Sequence, residues 1–302
     1  MFKKIIFISF ISLLLTACST PTPPDITIPA KMPAETIPTT QPRVALVLGG
    51  GGVRSFAELG VIKVLAENNI PIDLIVGTSM GSIFGSLYAD NPDISTLLPL
   101  VLNAKKSDLI HTSFFGPHGG LDNGYTMQNF ILQHTKARDF SQLKIKFVAV
   151  ASDLSTGQTV VLASGPIAPA VYASSALPPV FYPTHLYGYT LVDGGLSDVV
   201  PVDIAKRYYP DVIIAIDVSK QPSTTITEKS MFEIRDRYDD LHWKVFGLEQ
   251  ASHADIVITP NTGMTGTFDI SKRGEMEKAG EAAALAALPQ IKLLLKQKNI
   301  LY

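Results

Sequence analysis

Apolar residues follow two spacings along the chain, and the alternation of the two predicts an α/β fold. Short uninterrupted apolar runs, such as Val44–Leu48 and Ile72–Val76, are typical of strands buried on both faces of a sheet. Apolar residues recur every three or four positions in Phe56–Glu67, as in a helix. The same criteria predict strands at Ile145–Ala151, Tyr189–Val192, Val212–Val218 and Ile256–Thr259, and helices at Ser79–Tyr88, Gln128–His134, Asp203–Arg207, Arg273–Ala287 and Lys292–Lys298. Alternating strands and helices favour a mainly parallel central sheet with helices on both faces.

Three segments interrupt this pattern. Residues 108–124 are rich in glycine, histidine and phenylalanine, which is typical of a surface loop or a lid. Residues 220–240 are polar, and we interpret them as a mobile excursion. Pro289 is predicted to break the last helix, because proline removes a backbone donor.

The N-terminus has the features of a secretory signal. A short basic start precedes the apolar run Ile5–Leu15, and small residues follow it. The sequence LTAC, which ends at Cys18, resembles the lipobox of bacterial lipoproteins. That resemblance implies a signal peptide over 1–17, cleavage before Cys18 and lipidation of this cysteine. Ser19 at the next position then favours the periplasmic face of the outer membrane. The alternative is an ordinary signal peptide with an incidental cysteine.

Residues 18–42 are predicted to tether the lipid anchor to a globular domain. Seven prolines lie between residues 19 and 42, and such a composition favours an extended chain. The globular domain is therefore expected over 43–302, with its motifs in a core of about 43–220.

Overall charge and cysteine content limit the partners and the cross-links that are expected. The formal net charge of −2 does not favour nucleic acid as a partner. The single cysteine excludes an intramolecular disulfide.

A glycine-rich turn, GGGGVRS over 49–55, joins the first predicted strand to the first helix. Backbone N–H groups in such a turn can hold the phosphates of a nucleotide or the oxyanion of an acyl-transfer intermediate. A dinucleotide site requires glycine at the sixth position of its motif, where this chain has Ser55 when counted from Gly50. No Gly-Lys-Ser/Thr sequence follows for a P-loop. Nucleotide binding therefore fits poorly.

The second predicted strand ends in Gly77-x-Ser79-x-Gly81, which is the spacing of a nucleophile elbow between a strand and a helix. In such a turn the hydroxyl of Ser79 projects from the sheet and the N–H of Met80 points the same way. Adjacent parallel strands would place this turn beside the glycine-rich turn. Because the pattern is short, the alternative is that Ser79 is only a small residue at the start of a helix.

Asp193 is the best candidate for the base that Ser79 requires. It ends a predicted strand, and the two glycines after it allow another backbone to approach closely. None of the six histidines has the position that an α/β-hydrolase triad requires. The alternative for Asp193 is a turn-forming residue. The acidic residues Asp236, Asp239 and Asp240 are interpreted as a solvated face, and no metal site is predicted.

In combination these motifs resemble the patatin-like phospholipases. The resemblance rests on 50–54 (GGGVR), on Gly77–Gly81 and on 193–195 (DGG), and it extends to 152–157, 173–178 and 201–202. It implies a three-layer α/β/α fold and a Ser–Asp dyad without histidine, metal or cofactor. The implied site comprises the nucleophile Ser79, the general base Asp193, the oxyanion donors Gly50, Gly51, Gly52 and Met80, and the supporting residues Arg54, Gly77, Gly81, Gly194 and Gly195. Ser55 departs from the family, which has glycine there, and we expect a small adjustment of the helix entry.

The sequence therefore predicts a membrane-anchored serine hydrolase that acts on a lipid ester. The alternative is an envelope lipoprotein that keeps the fold but binds lipids or a partner without catalysis.

Overall fold

The computed structural model describes residues 23–35, 40–111, 122–221, 225, 227 and 230–302, and it has an α/β fold. The strands are β1 (Val44–Leu48), β2 (Leu74–Thr78), β3 (Lys146–Asp153), β4 (Thr159–Leu162), β5 (Thr184–Leu186), β6 (Tyr189–Asp193), β7 (Val212–Ile216) and β8 (Ile256–Ile258). The α-helices are α1 (Phe56–Glu67), α2 (Met80–Asp90), α3 (Ile94–Asn103), α4 (Tyr125–His134), α5 (Ile167–Ser175), α6 (Val202–Lys206), α7 (Met231–Ala251) and α8 (Arg273–Gln297).

All eight strands of the described residues form one sheet, in which hydrogen-bonded neighbours follow the order β5-β6-β3-β2-β1-β7-β8 and β4 pairs with β3. Strands β3, β2, β1, β7 and β8 are parallel. The antiparallel pairings are those of β4 and β6 with β3 and that of β5 with β6. The predicted mainly parallel sheet is therefore confirmed.

Helices cover both faces of the sheet, which gives three layers. Side chains of β1 alternate between the faces: Leu46 and Leu48 pack in the cluster that includes residues of α1, α2, α4, α5 and α8. Ala45 and Val47 pack in the cluster that includes α6 and the end of α7. Helices thus pack on both faces of the sheet, and the three-layer α/β/α prediction is confirmed. Strand β1 is apolar at every position because both of its faces are buried.

Strand β3 places the ends of β2 and β6 beside each other. Thr78, the last residue of β2, pairs with Val150, and Asp193, the last residue of β6, pairs with the next residue, Ala151. Strand β4 pairs with 149–152 and so occupies the opposite edge of β3. Strands β2 and β6 therefore run toward each other along one edge, and the residues that follow them meet.

Helix α8 is continuous through Pro289, so the predicted break is wrong. Its buried residues continue on both sides of the proline, at Ala284, Ile291 and Leu295. Packing of this helix against the domain outweighs the one backbone hydrogen bond that proline removes.

Residues 231–240 form the first half of α7, so the predicted excursion is wrong for them. Ser230 and Glu233 form a capping box: the Glu233 N–H donates to Ser230 Oγ at 3.2 Å, and the Ser230 N–H donates to Glu233 Oε2 at 3.1 Å. These two hydrogen bonds satisfy backbone donors that a helix start otherwise leaves unpaired.

Part of the predicted tether contacts the domain. Ser164 Oγ donates to the carbonyl of Pro33 at 2.7 Å, and Lys146 pairs with Glu35 at 2.6 Å. The predicted signal peptide, Cys18 and residues 112–121 of the predicted lid lie outside the described residues. Within the described part of the chain, no helix combines the length and the apolar character needed to cross a bilayer.

Candidate active site

Ser79 occupies a sharp turn between β2 and α2. Its φ of +56° and ψ of −127° lie where residues other than glycine rarely occur. A Cβ on Gly77 would lie 2.7 Å from the Gly81 carbonyl oxygen, and a Cβ on Gly81 would lie 2.7 Å from the Leu48 carbonyl oxygen. Both flanking positions therefore require glycine, and the turn has the geometry that the spacing predicts for an elbow.

Serine side chains hold this turn in place. The Ser79 N–H donates to Ser174 Oγ at 3.0 Å. The Ser79 carbonyl accepts hydrogen bonds from Ser82 Oγ at 2.7 Å and from Ser175 Oγ at 3.0 Å. Ser174 and Ser175 lie in the 173–178 segment, to which the sequence assigned no role. Their hydrogen bonds offset the strain of the backbone at Ser79.

The structure brings Ser79 and Asp193 into direct contact. Ser79 Oγ donates to Asp193 Oδ2 at 2.6 Å, and the Gly195 N–H donates to Asp193 Oδ1 at 2.8 Å. Asp193 is 2% exposed and Ser79 is 9% exposed. Both carboxylate oxygens thus have a donor, and one of the two donors is the hydroxyl to be activated.

Burial raises the pKa of Asp193 from 3.8 to about 6, although the hydrogen bonds from Ser79 and Gly195 oppose the rise. The group is still ionised at neutral pH. It holds a proton more firmly than an exposed aspartate does, which makes it a stronger base toward a hydroxyl.

The glycine-rich turn supplies fewer oxyanion donors than the sequence predicts. The Gly50 N–H donates to the Val199 carbonyl at 2.9 Å, so the assignment of Gly50 as a donor is wrong. The N–H groups of Gly51, Gly52 and Met80 have no acceptor among the described residues. These three residues line the same cavity as Ser79. Met80 is also the first residue of α2, where the helix dipole favours negative charge.

Arg54 fixes the glycine-rich turn to two distant segments. Its Nε donates to the Val218 carbonyl at 3.1 Å and its Nη1 donates to the Thr265 carbonyl at 3.0 Å. Burial lowers its pKa, whereas the charges of Asp240 and Asp217 raise it. Arg54 therefore supports the turn through side-chain hydrogen bonds.

Ser55 fits without a distorted backbone. Its φ of −63° and ψ of −12° are ordinary helical values, and its hydroxyl donates to the Gly49 carbonyl at 3.4 Å. The short 3₁₀ turn Gly52–Ser55 leads directly into α1. A glycine is therefore not required at position 55.

Trp243 of α7 is a site residue that sequence reasoning missed. Its ring lies over Gly50 and Gly195: a Cβ on Gly195 would lie 2.1 Å from the ring. A Cβ on Gly194 would lie 2.2 Å from the Val150 carbonyl oxygen. The two glycines after Asp193 thus admit the tryptophan on one side and β3 on the other. The only sequence signal was that Trp243 is the chain's single tryptophan.

Ser79 opens into a cavity of about 530 Å³. Its apolar lining is formed by Ile83, Leu109, Ile110, Met127, Leu177, Pro178, Phe181, Trp243, Phe268 and Ile270. Its charged lining is formed by Arg54, Lys106, Lys220, Asp236, Asp239 and Asp240. No histidine among the described residues lines it, and no cluster within the described ranges could hold a metal ion.

A serine hydroxyl, a basic carboxylate and N–H donors with no partner among the described residues, around one mainly apolar cavity, are the components of acyl transfer. The serine can attack a carbonyl carbon, the carboxylate can accept its proton, and the N–H groups can stabilise the negative oxygen that forms. The lining suits a substrate with an aliphatic chain.

Comparison with known proteins identifies the family to which the chain is similar. Residues 46–206 match the family model described as patatin-like phospholipase. Over 195 residues the chain is 32% identical to patatin-like phospholipase domain-containing protein 7 of Rattus norvegicus, and the match covers 61% of this chain and 14% of that protein. It is 35% identical over 196 residues to lysophospholipase nte1 of Aspergillus fumigatus, covering 60% of this chain and 12% of that protein.

Among solved structures, VipD from Legionella pneumophila is similar, with a TM-score of 0.55 and 15% identity over 83% of this chain and 67% of VipD. At that identity the likeness concerns the fold alone. The family model, by contrast, spans more than half of this chain. The chain therefore belongs to the patatin-like phospholipase family.

Proposed function

We propose that this chain is a serine lipid acyl hydrolase of the phospholipase A, lysophospholipase or esterase type. The observation that carries the proposal is the 2.6 Å hydrogen bond from Ser79 Oγ to a buried Asp193 carboxylate at the base of a mainly apolar cavity. Membership of the patatin-like phospholipase family supports it.

The proposed reaction proceeds through a covalent intermediate. Asp193 accepts the hydroxyl proton as Ser79 Oγ attacks the ester carbonyl, and the N–H groups of Gly51, Gly52 and Met80 stabilise the oxyanion. The proton then passes from Asp193 to the leaving alcohol. In the second half, Asp193 accepts a proton from water as the water oxygen attacks the acyl carbonyl. The bond between the acyl carbon and Ser79 Oγ then breaks, the fatty acid leaves, and Asp193 returns the proton to Ser79 Oγ.

The proposed substrate is a lipid ester. The apolar side chains that line the cavity from α2, α4 and 177–181 suit an acyl chain. One relative is named a lysophospholipase, which agrees with a single-chain lipid as one candidate.

We also propose that Cys18 carries a lipid anchor that keeps the enzyme at the periplasmic face of the outer membrane. The support is the LTAC sequence and the apolar run before it. The intact mass of the mature chain measures this directly: a chain that begins at an unmodified residue would contradict it.

The function is tested by incubating the full chain with phosphatidylcholine, lysophosphatidylcholine, triacylglycerol and a short-chain nitrophenyl ester, and by measuring the released acid. Hydrolysis of at least one lipid ester, together with labelling of Ser79 by a fluorophosphonate, supports the proposal. An unlabelled Ser79 and intact lipids would instead favour the non-catalytic lipid-binding alternative.

The pH dependence follows from the raised pKa of Asp193. The protonated carboxyl cannot accept the Ser79 proton, so kcat/KM for a soluble ester is expected to fall about tenfold per pH unit below a midpoint near 6 and to be level above it. A pH series with circular dichroism at each point measures this.

Asp198 provides a matched control, because burial and the charges of Asp203 and Glu249 raise its pKa to about 7. Asp198→Asn should leave the midpoint unchanged. A rate that is constant between pH 5 and 8 would exclude Asp193 as the base.

A further inference from the structure

Helix α7 carries an exposed apolar stripe along its outer face. The stripe consists of Met231, Ile234, Tyr238, Leu241, Val245 and Leu248, which are 78%, 46%, 68%, 40%, 63% and 44% exposed. Their spacing alternates between three and four residues, so they share one side of the helix over about 26 Å. Exposed apolar surface of this extent is uncommon on a soluble protein unless it binds something.

The opposite face of α7 is fixed to the domain. Asp236, Asp240 and Trp243 line the catalytic cavity, and the Val199 N–H donates to Gln250 Oε1 at 2.8 Å. Because this face holds the helix in place, the stripe must point away from its own domain.

Charges on α7 are sorted around the stripe. Three basic side chains and one histidine flank it at Arg235, Arg237, His242 and Lys244, whereas four acidic side chains lie farther round the helix at Glu233, Asp236, Asp239 and Asp240. Glu249, near the C-terminal end, is the exception and pairs with His253 at 3.4 Å. An apolar stripe flanked by cations is the pattern of a helix that lies in a lipid interface, where long basic side chains reach the phosphates.

The same pattern does not favour an antiparallel second copy of this helix as the occupant. In an antiparallel pair of such helices, the flanking cations Arg237 and Lys244 would face each other, whereas in a parallel pair Lys244 would face Glu249. Lipid phosphates complement Arg237 and Lys244 whichever way the helix runs along the surface.

We propose that the stripe on α7 docks on a phospholipid surface, with Arg235, Arg237 and Lys244 at the level of the lipid phosphates. A bilayer that receives the stripe lies about one helix diameter, roughly 10 Å, from the cavity that the other face of α7 lines. The docking would hold the site close to a lipid substrate, a consequence that rests on the proposed function.

The first test locates the stripe relative to the bilayer in the full chain. A Cys18→Ser background carries a single new cysteine, Val245→Cys on the stripe or Leu293→Cys on α8, where the native leucine is similarly exposed at 57%. An environment-sensitive fluorophore is attached, and phosphatidylcholine vesicles with quenchers on their acyl chains are added. The label at position 245 should be quenched and the label at 293 should not.

Equal behaviour of the two labels would overturn the proposal, even if the N-terminus attaches the chain to vesicles. A change at position 245 that appears without vesicles and grows with protein concentration would assign the stripe to a second copy and would also overturn it. This readout needs no turnover, so it is independent of the proposed function.

The second test compares two double variants on two substrates. Leu241→Ser with Val245→Ser should lower hydrolysis of vesicle phospholipid at least about tenfold relative to a soluble ester, since two apolar side chains no longer enter the lipid. Leu285→Ser with Leu293→Ser on α8 should leave that ratio unchanged. A ratio that falls equally in both variants, or in neither, would contradict docking through α7.

Discussion

Replacing Ser79 with alanine is expected to lower ester hydrolysis by at least about 10⁴-fold, because the variant has no nucleophile to form the acyl intermediate. The fold should persist. Alanine has the same Cβ in the same backbone conformation, and the hydrogen bonds from Ser82 and Ser175 to the carbonyl of residue 79 remain available. Release of fatty acid or nitrophenol measures the loss, and circular dichroism checks the fold.

Ser86→Ala is the matched control. Ser86 is a buried serine of α2, the helix that follows Ser79; its hydroxyl donates to the Ile83 carbonyl at 2.8 Å, and it does not line the cavity. This variant should retain activity within a few-fold. If Ser79→Ala kept more than about 1% of the wild-type rate, the assignment of Ser79 as the nucleophile would have to be abandoned.

Replacing Asp193 with asparagine is expected to have two opposite effects. Activity should fall by about 10⁴-fold, because an amide cannot accept the proton from Ser79. Stability at pH 8 should rise, because burial of the ionised Asp193 is costly. A carboxyl pKa raised from 3.8 to about 6 corresponds to a cost of up to about 3 kcal/mol, which asparagine does not incur.

The sign of the stability effect depends on pH. The raised pKa means that the folded state of the wild type is penalised above about pH 6 and that the penalty disappears as pH falls toward 4. Urea unfolding at pH 8 should therefore show Asp193→Asn to be more stable than the wild type, and at pH 4 the two should be similar. A variant that is less stable at pH 8 would mean that hydrogen bonds outweigh the burial of charge at this position.

The parts of the site that the sequence predicted are those that depend on local geometry. Gly77, Ser79 and Gly81 lie within five residues, and the same short spacing determines both the turn and its function. Asp193 could be recognised because it ends a strand and precedes two glycines. The parallel pairing of β1 with β2 then follows from general rules of α/β folds.

The parts that the sequence did not predict depend on distant contacts. The Gly50 N–H is occupied by the carbonyl of Val199, which lies far away in the sequence, and no local pattern reports that contact. Trp243 comes from a helix that the polar composition of 220–240 concealed. Strands β4 and β5 are short and were not predicted, because their pairing with β3 and β6 defines them more than their own residues do.

Strands β2 and β6 lie along one edge of β3, and their register brings Ser79 and Asp193 together. The proposed ester hydrolysis would therefore report whether the sheet has formed with the correct register. A shift of β6 by one residue against β3 would displace Asp193 by about 3.3 Å and turn its side chain to the other face of the sheet. Since Asp193 follows Ser79 by 114 residues in the chain, a nascent molecule would contain the serine before its base, and a misassembled one would hold the two apart. By the proposed mechanism, such a molecule would be inert toward lipid until β6 paired with β3 in the correct register.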